Sequence, residues 1–158
     1  MALTCLPAWP FLLFGIIEPA LLIWALVSIY NDPNDFYVRQ HYEASLQQVL
    51  LTPQALVLVL QTGNIFLLLA GLAVICSWTT HAEVAKRYLF VVAIADLGHI
   101  WGNYKGLGDQ YFWEFAQWND LIWGSVGVSA FLNINRWATL VGLFGRVGPS
   151  SSTAKKRN

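Results

Sequence analysis

Phe11-Leu-Leu-Phe-Gly-Ile-Ile-Glu18-Pro19-Ala-Leu-Leu-Ile-Trp-Ala-Leu-Val-Ser-Ile-Tyr30 decides the fold class. Its length suits one helical crossing of a hydrocarbon core, which takes ~20 apolar residues. Glu18 stands near its middle, where a charge costs roughly 2.5–3.5 kcal/mol on insertion scales. Water cannot offset that cost at such depth, so protein partners or a wet cavity must. Pro19 removes a backbone donor beside the acid and predicts a kink there.

Three more apolar stretches follow. The expected spans are about 11–30, 54–78, 88–104 and 121–144, with a basic tail over 145–158. Of the 158 residues, 56% are hydrophobic and only 11% charged, against about a quarter charged in soluble domains. No strand-like alternation and no internal repeat occurs. The expectation is an all-α integral membrane four-helix bundle with an internal polar cavity. The first run carries no Lys or Arg ahead of it and is longer than a signal-peptide core, so it reads as a retained span. Zero net charge gives no reason to expect nucleic acid.

Loop charge sets the orientation. Lys86 and Arg87 follow span two, and Arg146, Lys155, Lys156 and Arg157 follow span four. The other connections hold only Arg39 and Lys105. The positive-inside bias then places both termini in the cytosol. Lys155 and Lys156, third and fourth from the end, resemble a dilysine retrieval signal and point to the endoplasmic reticulum membrane. Cys5 and Cys76 read as free thiols in that reducing compartment. Residues 44–51 read as a half-apolar piece along the interface.

The polar residues inside the spans carry the chemistry. Asp96, His99 and Asn103 fall at i, i+3 and i+7 on one helix face. Glu18 lies roughly 12 Å in from the cytosolic side at 1.5 Å per residue, and Asp96 reaches a similar depth. Two carboxylates in a low dielectric do not both ionise easily, so one serves as acid and the other as base. Glu18, Asp96 and His99 are therefore the expected catalytic residues, with His99 relaying a proton toward the lumen. Gln61, Asn64, Asn103, Trp118, Asn119, Asp120 and Trp123 are the expected substrate-binding residues. Gln61 and Asn64 also suit interhelical hydrogen bonding, and Asn103, Asn119 and Asp120 suit helix capping. Arg136 reads as snorkelling to the cytosolic interface. No metal-ligand spacing, phosphate loop or nucleophile elbow is present, so neither metal nor cofactor is expected.

The pattern Phe14-Gly-Ile-Ile-Glu18-Pro19, Ala95-Asp96-Leu-Gly-His99, Trp118-Asn-Asp120 and Arg136-Trp137 resembles that of small fungal four-span membrane proteins of the DUF7704 kind. Those are encoded in secondary-metabolite gene clusters. In layout the chain is also similar to the EXPERA superfamily of sterol isomerases and lipid receptors. The resemblance implies an enzyme acting on a lipophilic polyketide or terpenoid by epoxide hydrolysis, cyclisation or isomerisation. The alternatives are a non-catalytic sterol- or lipid-binding protein and a scaffold for biosynthetic enzymes. Expected partners are a lipophilic small molecule and membrane lipid, with a homo-oligomer left open.

Overall fold

Pro19 has no N–H to give the Gly15 carbonyl four residues earlier, and the chain answers with two local devices. The indole Nε1 of Trp78 donates to the Gly15 oxygen at 3.0 Å. Just before the proline, residues Leu13–Ile17 widen into one π turn, closed by Glu18 N–H on Leu13 O. Such one-turn π segments relieve strain and re-aim side chains. The expected disturbance at Pro19 therefore takes the form of a π turn with a borrowed donor.

The structure is a computed structural model and describes residues 3–41 and 50–148. The basic tail with Lys155, Lys156 and Arg157, and nearly all of the 44–51 piece, lie outside the described residues. Among the described residues every regular element is helical. Helix α1 is Ala8–Asn31, α2 is Pro33–Val38, α3 is Pro53–Ser77 and α4 is Ala82–Phe112. Helix α5 covers 120–140 and contains a second π turn, Trp123–Gly127.

Short polar residues set the helix boundaries. Asp32 ends α1 and caps α2, accepting from Asp35 N–H at 2.9 Å, while Pro33 fills the first helical position, where no donor is needed. Thr52 and Pro53 repeat the device at α3, with Thr52 Oγ1 accepting from Ala55 N–H. Asn119 caps α5 through Ile122 N–H at 2.9 Å. Within α4 the helix breaks at Gly108, whose φ of 75° is open to glycine and strained for other residues.

Helices α1 and α3 are long and apolar enough to cross a membrane, with mean hydropathy 2.2 and 2.1. Helices α1 and α3 pack along each other, as do α4 and α5. The two pairs meet at one end over a shared core of Leu13, Phe14, Ala73, Leu89, Val92 and Leu132. At the other end the core divides. Ile29, Phe36 and Val59 fill one pair, and Leu107, Phe112, Ile122 and Val126 fill the other.

Backbone pairing ties the segments around Cys5 and Gly148 to the joined side. Cys5 N–H donates to Thr79 O at 2.8 Å, and Gly148 N–H donates to Cys5 O at 3.0 Å. Thr4 Oγ1 bonds Ser77 O at 2.5 Å, and the Trp9 indole reaches Asn135 Oδ1 at 3.0 Å. Both cysteines are free. On the divided side, Arg39 pairs with Asp35 and Asp120, and Asn119 Nδ2 donates to Arg39 O at 2.9 Å.

Candidate functional site

Helices α1, α4 and α5 each send one ionisable side chain to a common point. Arg136 of α5 has no exposed surface. Its Nη2 binds Glu18 Oε1 of α1, and its Nη1 binds Asp96 Oδ2 of α4. The guanidinium carbon lies over the Phe14 ring at 5.1 Å from the centroid, a cation–π contact strengthened by dryness. The reading of Arg136 as a snorkelling residue is thus corrected. Its helix turns it inward, and two carboxylates offset the burial cost that a lone guanidinium could not meet.

Glu18 and Asp96 are accordingly brought together, through Arg136. Neither hydrogen-bonds His99. Around the triad, Glu18 Oε2, Arg136 Nε and the Tyr88 hydroxyl are buried with no hydrogen-bond partner among the described residues. Asn133, one turn before Arg136, donates to Ala93 O at 2.6 Å and closes the α4–α5 seam beside the triad.

His99 belongs to a second polar group. Its Nε2 lies 2.8 Å from Ser125 Oγ in the π turn of α5, and Ser125 also donates to Asn103 Oδ1 at 3.2 Å. Asn103 Nδ2 bonds the His99 carbonyl at 2.9 Å and approaches Nε2 at 3.4 Å. Both side-chain contacts fall on Nε2, and His99 also lines a cleft. That cleft, about 470 Å³ and open at the side, is lined by Gln40, Gly98, His99, Gly102, Asn103 and Gly106. An imidazole fixed through one nitrogen beside an open cleft suits proton exchange with a bound molecule.

The remaining expected site residues lie elsewhere. Trp118 and Trp123 meet edge to face at 5.0 Å, in an aromatic run that continues through Phe115 and Phe112. Asn119 and Asp120 are a helix cap and an Arg39 partner. Gln61 and Asn64 are exposed on α3 and line no part of the cleft. Sequence reasoning missed Ser125, Gln40 and the central role of Arg136. In the structure Leu132, Asn133, Arg136 and Thr139 are all buried at three- and four-residue spacing, one inward face that depth along the helix alone does not reveal.

Among the described residues no cluster of three or more His, Cys, Asp or Glu side chains could hold a metal ion. No curated protein and no solved structure matches the chain. Residues 3–146, nearly all of the chain, match the family described as a domain of unknown function, DUF7704, and the chain belongs to that family.

Proposed function

We propose that the chain is a four-span protein of the endoplasmic reticulum membrane that carries out cofactor-independent acid–base chemistry on a lipophilic metabolite. Support for the membrane reading comes from where the apolar surface lies. Helix α3 buries only 22% of its most apolar window, whereas the core helix of a soluble protein buries most of it. Leu58, Leu68 and Ile75 face outward, a continuous apolar surface that lipid would cover. The less apolar α4 and α5 carry the polar groups. Cys5, Thr79 and Gly148 share one side, with Lys86 and Arg87 in the first turns of α4 beside it, and the charge bias assigns that side to the cytosol.

The chemical reading rests on one observation, His99 held at Nε2 by Ser125 while its ring lines an open cleft. His99 exchanges the proton at Nδ1. In epoxide opening the ring C–O bond breaks as a water oxygen bonds to carbon. With the Ser125 hydroxyl proton given to Asn103 Oδ1, Nε2–H donates to Ser125 and Nδ1 is the basic nitrogen. Nδ1 takes a proton from the water as its oxygen bonds to carbon and passes it to the released oxygen, so the net change is addition of water. In isomerisation the same nitrogen takes a proton from one carbon and returns it at another. Ser125 and Asn103 fix the ring. Glu18, Arg136 and Asp96 act as positioning residues that lock α4 and α5 one turn deeper.

The test uses purified protein in detergent with a panel of long-chain epoxides in ¹⁸O-water and of isomerisable enones in D₂O. Labelled diol or deuterated isomer is expected from wild type. His99→Gln should reduce the rate by about 10²–10⁴-fold, the usual worth of general acid–base catalysis. An unchanged rate in folded His99→Gln would remove His99 from the mechanism. Saturable binding with no product across the panel would replace the enzyme by a lipid-binding protein.

A further inference from the structure

Helix α2 ends at Val38, and the three residues that follow all meet the α4–α5 pair. Arg39 reaches the start of α5, where its guanidinium binds Asp120. Gln40 lines the His99 cleft opposite Gly98, Gly102 and Asn103 of α4. His41 meets Tyr111, near the end of α4, edge to face at 5.8 Å. This short segment thus crosses from one helix of the pair to the other. It is fastened on both sides and faces the cleft at its middle.

The start of α5 is built to receive it. Asn119 uses both ends of one amide: Oδ1 caps α5 through Ile122 N–H at 2.9 Å, and Nδ2 donates to the Arg39 carbonyl at 2.9 Å. Asp120 takes the Arg39 guanidinium, which Asp35 of α2 also holds at 3.2 Å. Leu121 packs against the core of Ile29, Phe36 and Val59. Water can undo the polar part of this grip. The Asp120 side chain is 73% exposed, and exposed ion pairs are weak and screened by salt. The Arg136 triad, by contrast, is nearly dry. Local opening favours water-exposed polar contacts over dry cores, so the molecule gives way at residues 39–41 before it gives way at the triad.

We propose that residues 39–41 are a releasable strap that controls access to the His99 cleft, fastened to α5 through Arg39 and to α4 through His41. Release carries Gln40 away from α4 and widens the cleft, and refastening narrows it. Entry is governed in this way whether or not His99 transforms what enters.

The experiment measures how fast a bulky maleimide reacts in detergent with Gly102→Cys, in a chain whose Cys5 and Cys76 are replaced by alanine. Gly102 lines the cleft and has room for a Cβ. Asp120→Arg sets like charges against each other at Arg39 and should speed labelling at least tenfold. Tyr111→Leu, which removes the ring that His41 meets, should speed it by a smaller factor. Exchanging the charges, Arg39→Asp with Asp120→Arg, should restore the slow rate. Cys5, buried on the joined side, reports general loosening in a second chain where only Cys76 is replaced, and its rate should stay the same in every strap variant. An unchanged rate at Gly102→Cys in Asp120→Arg or Tyr111→Leu, no restoration by the charge exchange, or equal acceleration at Cys5 would each overturn the proposal. Labelling is read without turnover. Failure of the strap therefore leaves the acid–base chemistry to its own test, and loss of that chemistry leaves the strap standing.

Discussion

A guanidinium with no exposed surface needs partners that match its planar fork, and Arg136 gives one Nη nitrogen to Glu18 and the other to Asp96. Removing one member of a buried ionic cluster leaves uncompensated charge and costs about 3–5 kcal/mol. Arg136→Met should therefore destabilise the protein by that order, seen as loss of the monodisperse peak and a lower melting temperature in detergent. Arg136→Lys should rescue only in part, because a point-like ammonium cannot bind two carboxylates in one plane. Combining Arg136→Met with Glu18→Gln and Asp96→Asn should recover much of the loss, since no buried charge then remains. Additive destabilisation across the three changes would contradict the triad. At this scale the sequence was half legible. Glu18 announced itself as an expensive residue in an apolar run, and Asp96 as its companion in depth. Arg136 did not, because position along a helix says how deep a side chain lies and not which way it points.

At the scale of the element, both π turns lie beside polar groups. One stands directly before Glu18, and the other carries Ser125 to His99. An inserted residue shifts the helix face by roughly 100°, so each turn re-aims the side chains that follow it within a single helix. The 3.6-residue period expected of a straight helix carries no mark of such an insertion. Pro19 was readable as a disturbance, but the donor it displaces was not, since Trp78 is distant in sequence. Trp78→Phe should leave the Gly15 carbonyl unpaired and cost about 1–3 kcal/mol. Pro19→Ala restores a backbone N–H four residues after Gly15. The double variant should then lose less than the sum of the two single changes, by at least ~0.5 kcal/mol in a double-mutant cycle. Strict additivity in thermal or denaturant unfolding would show that Trp78 does not stand in for the missing amide.

For the whole molecule, two helix pairs are joined at one end and divided at the other, and that layout was only partly readable. Four apolar stretches and the absence of alternation pointed to helices throughout. The cleft was not legible, because it takes Gln40 from the loop after α2 and every fourth residue of α4, a combination that no single segment displays. The segments around Cys5 and Gly148 meet on one side of the layout. Cys5 bridges Thr79 and Gly148 through its backbone, so the N-terminal segment, the α3–α4 link and the residues after α5 share one side. On the proposed four-span reading, Glu83 and Glu114, both exposed, mark opposite sides of the membrane. In sealed microsomes an impermeant maleimide should label Glu83→Cys before lysis and Glu114→Cys only after it, in a chain whose Cys5 and Cys76 are replaced by alanine. The native thiols are the lesser concern. Burial pushes the Cys5 thiol above its usual range, which keeps it in the unreactive protonated form. Labelling of both positions from the outside would mean that the chain lies on the membrane. Labelling of Glu114→Cys alone would keep four spans and reverse their orientation, placing the divided end, with its cleft and aromatic run, toward the cytosol.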